Sequence, residues 1–280
     1  MTARALAKLL GTFHNVSYYA REMKSFADLG LPEYWRAYMA YRSAPMGIAP
    51  ASVVQSTFYN FSPSQVQAGI PSAWETTTPT DAMALRDRCI GAALARSLPD
   101  SDLAAVQAAA DLGFEGIMDV EAGMRPLFAA HRELPVPTDP LMRLWFASTL
   151  WREHRGDGHN IALAAAEIDG IECHVLLAAK GVGSRDIIVK IRGWSPTDWD
   201  AAHERLVERE LLDAAGEFTE AGRTLRADIE RHTDQLASPP RLALGEARSQ
   251  RLVELLETIV GDLLASGTVP GRWPPPKAPH

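Results

Sequence analysis

Arg152-Glu153-His154-Arg155-Gly156-Asp157-Gly158-His159 is the stretch on which the fold turns. Apolar, helix-like sequence flanks it on both sides: Leu141, Leu144, Trp145, Phe146, Leu150 and Trp151 before it, and Ile161, Ala162, Leu163 and Ala164 after it. Burying unpartnered charge costs several kcal/mol, so a dense polar segment between two apolar ones needs a reason. Three readings fit the residues. In the first, Gly156 and Gly158 break the helix and Asp157 caps the next one through the N–H of His159 or Asn160. In the second, a helix restarting at Gly158 offers free N–H groups to an anion, with Arg152 and Arg155 as a matching fork. His154, Asp157 and His159 would then supply acid–base chemistry. In the third, His154 or His159 holds a metal or haem, although the spacing lacks a His-x-x-x-His helix pattern. The second reading makes the segment the working site.

Upstream, residues 1–135 read as a helical domain. A helix over 3–26 carries Leu6, Leu10, Phe13 and Val16 on one face. All six tyrosines fall between Tyr18 and Tyr59. A buried tyrosine must find a partner for its hydroxyl, so this density suits either packing or an aromatic wall for a ligand. Tyr19, Trp35, Tyr38 and Tyr59 are the residues expected to face such a ligand, together with Arg152 and Arg155. Gly113 reads as a helix stop, followed by a further helix over 115–131. The proline-rich residues 133–140 lead into the apolar run at 141.

Downstream, Ser195 precedes Pro196 as a helix cap, and residues 211–219 read as a tiny hairpin. The run Ser195-Pro196-Thr197-Asp198-Trp199 through Leu211-Leu212, followed by Phe218-Thr219-Glu220-Ala221-Gly222, resembles the recognition helix and wing of MarR-type winged-helix regulators. A His-Arg-Gly-Asp-Gly-His segment also resembles one recurring in a bacterial group of winged-helix proteins. Abundant alanine and scarce strand-like alternation make the chain mainly α-helical, and the resemblance adds a winged helix to that. The helical N-terminal part would be joined to a winged-helix part, residues 140–236, with a small β-wing. The resemblance also implies DNA binding through residues 184–225, with Arg192, Arg205, Arg209 and Arg223 as the basic contacts. Charge opposes that use of the recognition helix: Asp198, Asp200, Glu204, Glu208 and Glu210 stand against Arg205 and Arg209. A small-molecule-binding protein on a winged-helix scaffold, with His/Asp chemistry, is therefore the leading expectation. A ligand-responsive regulator is the alternative.

Residues 245–265 form an amphipathic helix suited to packing back or to a homodimer, and 266–280 are a proline-rich tail. Hydrophobic residues make up 46% of the 280 and the net charge is −7, which argues against a dominant nucleic-acid or anionic-membrane surface. Two distant cysteines, no apparent leader and no long apolar run point to a cytoplasmic protein without membrane spans. Phosphate-loop, dinucleotide and serine- or cysteine-nucleophile motifs are lacking.

Overall fold

The two apolar runs around the polar segment lie on one unbroken helix, Pro140–Ala165, in the computed structural model, which describes residues 3–271. The expected break at Gly156 and Gly158 does not occur. The cap is Asp139, whose side chain accepts the Met142 N–H, with Pro140 in the first turn. A helix-interior glycine costs about 1 kcal/mol relative to alanine, so packing must offset it. At Gly158 a Cβ would lie 2.7 Å from Arg125 Nη1 and 3.2 Å from Leu236 Cβ. The glycine lets two neighbours approach the helix rather than ending it.

In chain order, α1 (Ala3–His14) and α2 (Val16–Tyr19) lead into a 3-10 stretch, Arg21–Leu29. Then come α3 (Tyr34–Ser43), α4 (Ala51–Thr57), α5 (Pro63–Gly69), α6 (Ser72–Thr76), α7 (Pro79–Ser97), α8 (Leu103–Ile117) and α9 (Pro126–Arg132). The long helix is α10, and α11 (Glu172–Ala179), α12 (Arg185–Arg192), α13 (Pro196–Glu208) and α14 (Glu220–Leu236) follow it. The described chain closes with α15 (Pro239–Leu244) and α16 (Glu246–Ala265). The expected stop at Gly113 is also absent, because α8 continues to Ile117. A Cβ at Gly113 would sit 3.0 Å from Ala147 Cβ, and one at Gly116 2.7 Å from Trp151 Cζ2. Both glycines let α8 cross close to α10. Pro126 begins a new helix instead of sitting inside one.

Two hydrophobic cores result. The larger gathers α1, α3, α7, α8, α16 and the first half of α10 around Phe13, Met39, Ile90, Ile117, Trp145 and Leu256. The smaller gathers α11 to α14 and the last turn of α10 around Leu163, Ile171, Ile188, Trp199, Leu206 and Ile229. The boundary between them falls within α10, between Trp151 and Ala162, where the polar segment lies. The apolar face of α16 is spent inside the chain, packed on α1 and α8.

No β-wing follows α13. Among the described residues the sole β feature is an isolated antiparallel bridge between Leu212 and Phe218. The expected wing, and with it the MarR-type winged-helix fold, is therefore corrected to an all-α arrangement. The local reason is Asp213, whose carboxylate takes the N–H groups of Ala215 and Glu217. Those donors close a tight turn through Gly216 (φ 84°) instead of entering a ladder. Thr219 then caps α14 by accepting the Gly222 N–H, so the chain returns to helix at once. The proline-rich tail beyond residue 271 lies outside the described residues.

Candidate functional site

Eight helical residues span more than two turns, so the side chains of the polar segment must diverge. Those of residues 153–159 reach neighbours on α3, α9 and α14. Glu153, 1% exposed, lies between Arg152 Nη1 at 2.6 Å and Arg42 Nη2 at 3.3 Å. His154 sets its ring edge against Phe128, 5.1 Å between centroids, and its carbonyl accepts from Arg125. Asp157 accepts the Phe128 N–H at 3.0 Å. On the opposite side, Arg155 pairs with Asp234 at 3.0 Å, and His159 Nδ1 meets Thr233 Oγ1 at 2.9 Å. His154 and Asp157 thus face α9 while His159 faces α14. No hydrogen bond joins His154 to Asp157.

Burial sets the protonation of these groups. It pushes His154 down to about 3, helped by the Arg125 charge. It pushes His159 down to about 4. Burial raises Asp157 to about 7 against the pull of the Phe128 N–H. For Glu153 burial is outweighed by the Arg152 and Arg42 charges, which hold its carboxyl far below the usual range. His154 and Asp157 turn to α9 and His159 to α14, so the three do not meet, and the reading of this segment as a catalytic His/Asp pocket is corrected. Among the described residues no group of three or more His, Cys, Asp or Glu side chains could hold a metal ion.

The aromatic residues are dispersed too. Tyr38 is buried among Trp35, Tyr41, Phe58 and Phe61. Tyr59 lies at the smaller core, donating its hydroxyl to Ile168 O at 2.7 Å. Tyr19 borders a recess of about 340 Å³ with Tyr18, Tyr34 and Tyr41. Residues 59–62 instead clamp the two cores together. Asn60 O accepts from Trp194 Nε1 at 3.1 Å and lies 3.0 Å from His174 Nε2. The Ser62 N–H reaches Arg192 O at 2.9 Å.

Around the smaller core, α11, α12 and α13 form a three-helix unit. Its third helix has a reciprocal cap: Ser195 Oγ accepts the Asp198 N–H, and Asp198 accepts the Ser195 N–H. Trp199, Ala202 and Leu206 bury one face of α13. Its two arginines turn back toward the preceding segment. Arg205 pairs with Asp169 at 2.6 Å and Glu172 at 3.0 Å, and Arg209 reaches Glu167 O at 2.8 Å. Asp198, Asp200, Glu204 and Glu208 remain on the outer face. Arg192 points inward onto the Phe61 ring. Of the four basic residues expected to meet DNA, Arg223 has a side chain 58% exposed, against 43% for Arg205 and 34% for Arg209. Arg223 lines a groove of about 810 Å³ with Arg4, Lys180, Arg226, Arg231 and Arg241.

A profile described as a helix-turn-helix family matches residues 3–270. The chain belongs to that helix-turn-helix family. The match runs through both cores, so the family is defined by the whole helical body and not by α11 to α13 alone. No curated protein and no solved structure matches the chain. The generic helix-turn-helix assignment therefore holds for the chain, without the wing. Among the described residues no helix is long and apolar enough to cross a membrane.

Sequence reasoning passed over Arg42 and Arg125, which take the polar segment's Glu153 carboxylate and His154 carbonyl. Arg42 stands one helical turn after Tyr38, and its Nη1 donates to that hydroxyl at 3.0 Å. That Tyr-x-x-x-Arg spacing was the available signal.

Proposed function

We propose that this helix-turn-helix protein is a DNA-binding regulator whose phosphate contacts come from the basic groove beside α14 and not from the outer face of α13. The family match carries the reading, because a capped third helix on a three-helix core is the arrangement that such proteins offer to DNA. Charge distribution directs the contact. The outer face of α13 is acidic and repels phosphate, whereas the groove gathers six cations against Glu230 and Asp234. Lys180 has no ion-pair partner among the described residues, and Arg223 and Arg231 hold only exposed i,i+3 pairs, which are weak. A cytoplasmic location accords with this reading and with two unpaired cysteines.

Fluorescence anisotropy with a duplex from the protein's own upstream region, over 25 to 200 mM salt, tests it. Binding that weakens steeply with salt, and that Lys180→Glu with Arg223→Glu abolishes, is the expected result. Absence of binding at the lowest salt would sink the reading.

A further inference from the structure

Three partly buried arginines from three separate helices stand around the buried Tyr38. Arg42 of α3 donates to the Tyr38 hydroxyl and holds its Cζ 4.5 Å over the Phe58 ring. Arg192, the last residue of α12, holds its Cζ 4.3 Å over Phe61, whose ring lies 5.5 Å from that of Tyr38. Arg152 of α10 stands 5.6 Å over Tyr18, also a 5.5 Å neighbour of Tyr38. Burial alone would push the Tyr38 hydroxyl up, but the charges of Arg42, Arg192 and Arg152 hold it below its ordinary value.

The charges do not balance. Glu153 pairs with Arg42 and Arg152, and among the described residues no other carboxylate pairs with any of the three. Arg192 makes no side-chain hydrogen bond or ion pair there; its contact is the Phe61 face. The Nε atoms of Arg42 and Arg192 are both buried and without a hydrogen-bond partner. Lysine or histidine could relieve such a site by losing a proton, but guanidinium cannot. Three partly buried guanidinium groups against one carboxylate leave two positive charges in excess, and their unused donors suit an anion. Planar, forked donors match carboxylate and phosphate oxygens. The aromatic faces supply an apolar wall, and Tyr18 leads from Arg152 to the recess of about 340 Å³ that it shares with Tyr19 and Tyr34.

We propose that Arg42, Arg152 and Arg192 form the binding site of a small organic anion, with its carboxylate or phosphate on the guanidinium groups and its apolar part along Tyr18. The site lies at the junction of the two cores, because Arg192 ends the helix that docks on Ser62. It stands independently of the DNA-binding reading.

Thermal unfolding of the full chain is followed with benzoate, phenyl phosphate, inorganic phosphate and the neutral isostere benzamide. Benzoate or phenyl phosphate should raise the melting temperature saturably by several degrees, and benzamide should not. The first two separate the carboxylate and phosphate sources, and a response to inorganic phosphate as large as that to phenyl phosphate assigns the site to the phosphate group itself. Arg192→Gln is the decisive variant, since it breaks no ion pair. Without ligand it should melt higher than the parent, having lost an uncompensated cation, and its affinity for the effective anion should fall at least about tenfold. The site is overturned if all three anions leave the parent unmoved at 10 mM, or if Arg192→Gln binds as the parent does.

Discussion

Gly158 and Arg125 are in contact: a Cβ on the glycine would lie 2.7 Å from Arg125 Nη1, which donates to His154 O while Nη2 donates to Leu236 O at 2.8 Å. Gly156, two residues earlier, is different. Its nearest neighbour would be Glu153 Oε2 at 3.8 Å, an ordinary contact. The same substitution should therefore have opposite signs at the two positions. Gly158→Ala gains helix propensity but must displace a tied guanidinium and the start of a leucine side chain, for a net loss of about 1–2 kcal/mol. Gly156→Ala keeps the propensity gain and should stabilise by about 0.5–1 kcal/mol. Urea denaturation of the two variants checks this, and equal signs would refute it.

Gly222 governs the other unit in the same way. A Cβ there would overlap Leu211 O, a backbone atom that cannot swing aside, and would come within 3.0 Å of Phe218 Cδ1. Gly222→Ala should force α14 away from the turn at residues 211–218 and cost about 3 kcal/mol. If the DNA-binding reading holds, duplex affinity should fall with it, because Arg223 is the next residue of the displaced helix. Circular dichroism melts and anisotropy on one preparation would show both effects.

These glycines explain what was legible in the sequence. Phe218-Thr219-Glu220-Ala221-Gly222 was readable as a helix entry because its logic is local: Thr219 caps, and Gly222 admits the Leu211 carbonyl. Ser195 before Pro196 was readable for the same reason. Gly113, Gly156 and Gly158 were misread as helix breakers. For Gly113 and Gly158 the reason is a close tertiary approach, which no local pattern reports. The wing was over-read because its flanking residues match, while the Asp213 carboxylate diverts two of the intervening N–H groups into a turn. Glu153 lies 111 residues from Arg42, so the charge cluster could not be assembled from spacing.

Acid should unfold this protein sooner than its acidic composition suggests. Burial pushes His131 and His159 down to about 4 and His154 and His174 down to about 3, and it lowers His14 as well. As pH falls through about 6.5 the unfolded chain takes protons at all five, while the folded chain takes them at His131 and His159 only near 4 and at His154 and His174 near 3. Stability is therefore lost between about pH 6.5 and 4, at about 1.4 kcal/mol per unit for each histidine. Asp157, raised by burial to about 7, works in the opposite direction: the folded form holds a proton that the unfolded form has released, so its term weakens the fold as pH rises from about 4 to 7. Five groups outweigh one. Melting temperature should drop steeply below pH 6, and Asp157→Asn should raise it at pH 8 relative to the parent more than at pH 4.5. A flat profile from pH 7 to 5 would contradict the buried neutral histidines.

Glu153 is the carboxylate that holds Arg42 and Arg152 together, and its replacement should be among the most damaging substitutions in the chain. Glu153→Gln keeps the shape but leaves Arg42 and Arg152 without their carboxylate, a loss of about 3–5 kcal/mol by analogy with broken buried pairs. Arg42→Met should cost less, because Glu153 then keeps Arg152 at 2.6 Å and the methionine can rest on Phe58 where the guanidinium lay. The double variant should be more stable than Glu153→Gln alone, since removing Arg42 takes away one of the stranded charges. That ordering is not what independent packing defects would give, for which the losses would add. A double-mutant cycle by chemical denaturation measures the difference. A coupling energy near zero would mean that Glu153 and Arg42 do not sense each other across the 3.3 Å that separates them.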